Sequence, residues 1–289
     1  MKNYQLSPML MPETKIWRYM SLDKLIDILS TRELYFSPIS SYSLTDPYEG
    51  LVPKVAMNAW ADIIESGFVE IQEKIKPLHH TIDTHQQEGL ISSRQAKKEK
   101  QKIDVIFKSK LSHVESVFFK STKSITVNCW HQNDYESEGM WRLYSDTNKG
   151  IAIQSTIGSL IESIDTDYSL KISEVKYLDY SDQNLTLQDC MVNGSVIGFL
   201  KRHSFAHEKE IRLMISPNLS GVDFEKHVPL GLRIKVEPLK LIENIYISPY
   251  ASQPYPNAVV AIAEKFGIDN EKLVNSKLLT VDDNLLKLF

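Results

Sequence analysis

The stretch from His207 to Ile215, HEKEIRLMI, holds the residues best placed to do chemistry. Read as a strand, its period of two puts Ile211, Leu213 and Ile215 on one face and Glu208, Glu210 and Arg212 on the other. Two carboxylates about 7 Å apart beside a guanidinium then point away from the apolar layer. Facing solvent, they are surface charges. Lining a cleft, they repel, and one becomes a candidate for a raised pKa or for stabilising a developing cation. A second group lies in SITVNCWHQNDYESEGMWRLYSDTNKGIAIQS, from Ser124 to Ser155, which reads as strand, polar and aromatic corner, short helix, strand. The corner carries Trp130 and His131, with Glu136 just beyond. An acid and an imidazole at the mouth of a strand suit proton transfer or ribose recognition. Met140 and Trp141 read as core, and the TDPYEG loop with Asp46 and Glu49 reads as an Asp-capped turn.

The elements that must position these groups follow from periodicity. Lys15 to Tyr19 reads as a strand, Ser21 as the N-cap of a helix bearing Leu22, Leu25, Ile26 and Leu29 and ending near Arg32, and Leu34 to Ser37 as a strand closed by Pro38. Between about 55 and 120 the composition turns polar with helical spacing, and Pro77 and Gly89 divide it into two or three helices, the last running from about Ser93 to Phe118. Thr156 to Ile164 reads as a helix, Lys171 to Tyr180 as a strand, Val196 to Phe205 as a helix and Glu208 to Ile215 as a strand. Strands at Leu232 to Val236 and Ile242 to Ile247, a helix at Ala258 to Phe266 and a strand at Val274 to Leu279 complete the chain. Strands and helices do not alternate regularly, so the expected class is α+β with a mixed sheet. The expected organisation is a single domain over 1–289 with a helical insert at about 55–120 that self-associates or covers a cleft.

Composition narrows the function. With 289 residues, 42% hydrophobic and 24% charged, the chain can bury a sizeable core, and a net charge of -4 gives no general attraction to nucleic acid or anionic membrane. No run approaches the roughly 20 apolar residues of a membrane span. Two cysteines, Cys129 and Cys190, suit a reducing cytoplasm. His79, His80 and His85 lie close in sequence without an HExxH pattern, so no metal site is expected.

The segments RYMS (Arg18 to Ser21), LYFSP with TDPYEG, NCWHQNDYESEGMW with LYSDTNKGIAIQST, VKYLDY and KRHSFAHEKEIR resemble the bacterial family called domain of unknown function 2971, departing from it at Thr45, where that family has Asn before Asp-Pro. The order of parts, with RYMS on the first strand and Glu-x-Glu leading a late one, is similar to ADP-ribosyltransferase folds. That second resemblance implies NAD as substrate and an acceptor macromolecule. It makes Glu210 the stabiliser of a ribosyl cation and Glu208 the residue that orients the acceptor, with His131 beside them. It gives the NAD phosphates or adenosine ribose to Arg18 or Tyr19 and the nicotinamide stacking to Trp130, where those enzymes show Ser-Thr-Ser; Ser21, Glu136 and Arg212 are further candidates for binding the nucleotide. A toxin or phage-defence setting follows. The rival expectations are a ligand-binding or sensor module without turnover and, third, a metal-dependent nuclease.

Overall fold

The computed structural model describes residues 3–105, 124–145, 148–216 and 231–281. Thirteen strands are described: β1 (Tyr4–Leu6), β2 (Lys15–Met20), β3 (Glu33–Pro38), β4 (Thr126–Gln132), β5 (Ile151–Thr156), β6 (Ile164–Asp165), β7 (Leu170–Glu174), β8 (Lys176–Leu178), β9 (Leu200–Arg202), β10 (Glu210–Ile215), β11 (Leu232–Val236), β12 (Asn244–Ile247) and β13 (Leu273–Asn275). Helices are α1 (Leu22–Thr31), α2 (Lys54–Gln87), α3 (93–105), α4 (Glu138–Tyr144), α5 (Ile157–Ser163), α6 (Pro238–Leu241) and α7 (Tyr255–Lys265). Among the described residues, eleven strands join one mixed sheet in the order β1-β7-β10-β4-β2-β5-β12-β13, with β3 joined to β4 and β11, and β6 to β11. The fold is therefore α+β. Among the described residues, no helix is long and apolar enough to cross a membrane.

The alternation of β10 sets the two layers. Ile211, Leu213 and Ile215 enter the main core with α1 (Leu25, Ile28, Leu29), α5 (Ile157, Leu160) and α7 (Val259, Ala263). Each such Leu, Ile or Val side chain contributes about 1.5–3 kcal/mol on burial. The opposite face carries Glu210, Arg212 and Met214, and it is roofed by a second cluster that includes Ile39, Val52, Ala56, Phe199 and Leu200. The charged face is thus inside the protein, not on its surface.

β4 gives the molecule its opening. On one edge it pairs with β10 from Thr126 to His131. On the other it meets β3 only at Thr126 and Val127, and β2 only at His131 and Gln132. Between those contacts, at Asn128 to Trp130, β2 and β3 diverge and the sheet splits. Asn128 bridges the split with its side chain, whose Nδ2 donates to the Tyr35 carbonyl at 2.9 Å while Oδ1 accepts from Trp130 Nε1 at 2.8 Å.

Several elements differ from the sequence reading. Strand β10 starts at Glu210, because Lys209 adopts left-handed geometry (φ 40) and Glu208 closes a 3-10 turn over His203–Glu208. Val196 to Phe205 is not a helix. Gly198 has φ +90 and a Cβ there would lie 2.3 Å from Met214 Sδ, so the chain turns at a residue that must be glycine before entering β9. The strand read from Lys171 to Tyr180 breaks at Val175, whose N–H bonds the Glu210 carbonyl. Pro77 lies inside α2 and does not end it, whereas Gly89 (φ 74) does sit in the turn before α3. The remainder of the helix read to Phe118 lies outside the described residues.

Candidate functional site

The split opens into a cavity of about 760 Å³, within the size range of small-molecule sites. Its walls come from β2 (Arg18, Tyr19), β4 (Cys129, Trp130, His131), the 39–49 segment (Tyr42, Asp46, Glu49), α4 (Tyr144) and the β9–β10 segment (Lys201, Glu208, Glu210, Arg212).

The inner end is a network of charges. Arg212 is 1% exposed and all five of its N–H donors are used. Nε and Nη2 hold Glu210 at 2.9 and 3.0 Å, Nη1 and Nη2 hold Glu49 at 2.7 and 3.0 Å, and Nη1 also donates to the Gly198 carbonyl at 2.9 Å. Lys201 Nζ lies 2.5 Å from Glu208, 3.5 Å from Glu210 and 3.8 Å from Glu49. Burial alone would raise the Glu210 pKa, but Arg212 and Lys201 reverse that and hold it at about 2, the opposite of the raised value its crowding suggests in sequence. Glu210 is a fixed anion. The Cys129 thiol also bonds it, and burial followed by Glu210 itself pushes the thiol pKa well up, so this cysteine is a donor rather than a thiolate nucleophile.

His131 faces Glu210 directly across the β4–β10 ladder. Its Nδ1 lies 2.5 Å from the Glu208 carbonyl, an acceptor, so that nitrogen carries the proton. Burial lowers its pKa, leaving a neutral ring whose buried Nε2 lone pair has no partner. Arg18 crosses the split from the other side, with its guanidinium 5.8 Å over the Trp130 ring and its Nη1 shielded and unpartnered. Asp46 accepts from Tyr48 N and from Arg202 through Oδ1, while its buried Oδ2 is unpartnered. Buried polar atoms are nearly always hydrogen-bonded. Here a donor (Arg18) and two acceptors (His131, Asp46) are left open around one cavity, and a ligand or water would satisfy them.

The expected site residues therefore divide. Arg18, Tyr19, Trp130, His131, Glu208, Glu210 and Arg212 line the cavity together. Arg212 has no donor free for a ligand and instead orients Glu210. Trp130 is 2% exposed, packs in the main core and bonds Asn128, so its ring is the floor under Arg18 and not a stacking surface for an incoming ring. Tyr19 accepts Ser137 N–H at 2.8 Å. Ser21 occupies the N-cap of α1, outside the lining, and makes no side-chain cap bond. Glu136 is likewise outside the lining, accepting from Trp141 Nε1 at 3.0 Å. The residues that sequence reasoning missed are Glu49, Lys201, Cys129, Tyr42 and Tyr144. The sequence supplies Arg212 with two acids on its own strand, Glu208 and Glu210, so nothing local calls for a third; because the strand begins at Glu210, Glu49 takes the second place on the guanidinium.

Among the described residues, no group of three or more His, Cys, Asp or Glu side chains could hold a metal ion. No curated protein and no solved structure matches the chain. Residues 140–213, which carry α4 from Met140 onward and the Lys201–Glu208–Glu210–Arg212 half of the cavity, match the model of the family described as Protein of unknown function (DUF2971), the family that the motifs of the sequence resemble.

Proposed function

We propose that the cavity binds NAD or a related nucleotide and that the protein is an ADP-ribosyltransferase-like enzyme cleaving the nicotinamide–ribose bond. The observation that carries this reading is that an unpartnered guanidinium, Arg18, and a fixed, ionised carboxylate, Glu210, line the same cavity. Arg18 would take the phosphates, since its planar fork matches their oxygens. Glu210 would face the ribosyl carbon, where positive charge develops as the bond breaks and its electron pair leaves on nicotinamide. A preorganised anion stabilises that charge without reorganisation. Glu208, on the rim, orients the acceptor or water. The setting is a bacterial toxin or phage-defence effector acting where NAD is abundant, in the cytoplasm.

The test is release of nicotinamide from NAD by the purified chain, alone and with cell extract as acceptor. Glu210→Gln keeps shape and removes charge; turnover should fall about 100- to 1000-fold with little change in KM, and thermal melts should show a folded variant. A second reading, a ligand-binding module without turnover, is favoured by one observation: both Glu210 oxygens are already engaged by Arg212. NAD binding without nicotinamide release would establish it. A metal-dependent nuclease fits less well, because Lys201 and Arg212 already occupy the space between the carboxylates.

A further inference from the structure

One side chain spans the split in the sheet. Along its split edge β4 has no strand partner between Val127 and His131, and continuing the β3 register would set Tyr35 opposite Cys129, but the strands have parted there. Asn128, 1% exposed, reaches across instead. Its Nδ2 donates to the Tyr35 carbonyl at 2.9 Å and its Oδ1 accepts from Trp130 Nε1 at 2.8 Å. The two bonds fix the amide, because only one orientation offers a donor to the carbonyl and an acceptor to the indole.

Asn128 and Trp130 alternate along one strand, so both project from the same face of β4. Arg18 shares its side of β2 with Ile16 and Met20, which enter the same core as Trp130. Its guanidinium lies 5.8 Å over the Trp130 ring, and among the described residues no ion pair or hydrogen bond holds it. The ring face therefore sets where the guanidinium stands. The main core packs the bulk of the indole, and Asn128 holds its N–H edge. We propose that Asn128 is a positioning residue for anion binding: through the Trp130 indole it keeps the Arg18 guanidinium over a fixed ring face, ordered in advance for a phosphate. A long side chain that must be ordered at the moment of binding costs up to about 10-fold in affinity, and this tether removes that cost. The inference rests on the reading above for the anion being the phosphates of a nucleotide, and on the Asn128–Trp130–Arg18 geometry for the rest.

The experiment titrates pyrophosphate into the full chain and follows the indole N–H signals in proton–nitrogen correlation spectra, the Trp130 signal being identified by its loss in Trp130→Phe. In the wild type that signal should move as pyrophosphate binds, because the anion draws on the charge lying over the ring. Asn128→Leu keeps the branched shape and removes both bonds; affinity should fall about 5- to 10-fold and the Trp130 signal should stop responding, which a purely structural role for Asn128 would not cause. Trp130→Phe cuts the same tether at its other end. It should lose about as much, and the double variant should bind no more weakly than either single one, whereas independent defects would multiply. If thermal melts show that Asn128→Leu does not fold, the loss in Trp130→Phe carries the test. Wild-type affinity in the tether variants, a Trp130 signal that still follows the titration in Asn128→Leu, or a wild type that does not bind pyrophosphate overturns the inference. Affinity that weakens as stated supports it even where no nicotinamide is released, so this inference and the transferase reading fail separately.

Discussion

Arg212 and Arg18 sit on strands that flank β4 on either side, and both line one cavity, yet the protein treats them in opposite ways. Arg212 spends every donor on Glu49, Glu210 and Gly198, and its pKa is driven far up despite burial because two carboxylates share it. Arg18 makes no ion pair or hydrogen bond among the described residues, and burial lowers its pKa. A guanidinium that is fully satisfied is part of the scaffold. One left unsatisfied in a cavity pays a desolvation cost that the fold does not recover, and ligand binding is where such a cost is recovered. The same residue type, read from sequence as one kind of contact, thus resolves into a residue that builds the site and a residue that uses it.

The comparison breaks most sharply at Arg212. Arg212→Met removes the shared cation and leaves Glu49 and Glu210 buried side by side, so the folded state should lose about 3–5 kcal/mol, as when one partner of a buried pair is deleted. Urea denaturation monitored by tryptophan fluorescence checks this; a loss under about 1 kcal/mol would mean that the network is not structural. Arg212→Lys should be nearly as damaging, because an ammonium cannot serve two carboxylates in a plane.

Arg18 should behave inversely. Arg18→Met removes a cation that has no ion pair or hydrogen bond and only the Trp130 ring beneath it, so the relief of desolvation and the lost ring contact offset each other and stability should change by less than about 1 kcal/mol. NAD affinity, measured by calorimetry or by the shift of a thermal melt, should fall about 10- to 100-fold, the loss of a charged hydrogen-bonding contact to phosphate being worth about 1.5–3 kcal/mol. A variant that is destabilised but binds normally would reverse the assignment of the two arginines.

How far this division was legible depends on distance along the chain. The face of β10 was readable, because Ile211, Leu213 and Ile215 follow a period of two and all enter the core. The place of Glu208 was not, since a left-handed Lys209 interrupts that period one residue before the strand. Glu49 reads as part of a turn, and the turn is real: Asp46 caps Tyr48 N and Glu49 N bonds the Asp46 carbonyl. Its second role depends on a partner 163 positions away, and no local pattern carries that information. The run from Val196 to Phe205 misled for a related reason. Its apolar residues recur at helical spacing because Phe199 and Leu200 meet the second core, while Gly198 makes a helix there untenable. The likeness of Trp130 to a stacking residue failed because its indole is anchored in the main core.

The smallest expected effect concerns His131, which belongs to neither class cleanly: Nδ1 is tied to the Glu208 carbonyl, as in a scaffold, and Nε2 is open, as in a binding group. Burial is the first cause of its lowered pKa, with the bond to the Glu208 carbonyl working against it. In the unfolded chain a histidine titrates near 6.5. The unfolded state therefore binds this proton first as pH falls, and the folded state is penalised until its own, lower pKa is reached. Stability supplied by the neutral ring is complete above about pH 6.5 and declines below it, with a slope of at most about 1.4 kcal/mol per pH unit. Glu210, held near 2 against an ordinary 4.5, acts in a different window: its contribution is intact above about pH 4.5 and is lost as pH falls toward 2. Urea midpoints measured from pH 8 to pH 5 should thus fall in the wild type and fall less in His131→Gln, which keeps a donor for the Glu208 carbonyl but does not titrate. Saturating NAD should steepen the wild-type slope if a nucleotide hydroxyl donates to Nε2, because protonation would then also cost that bond. An unchanged slope with NAD bound would place His131 with Arg212, among the groups that hold the site together.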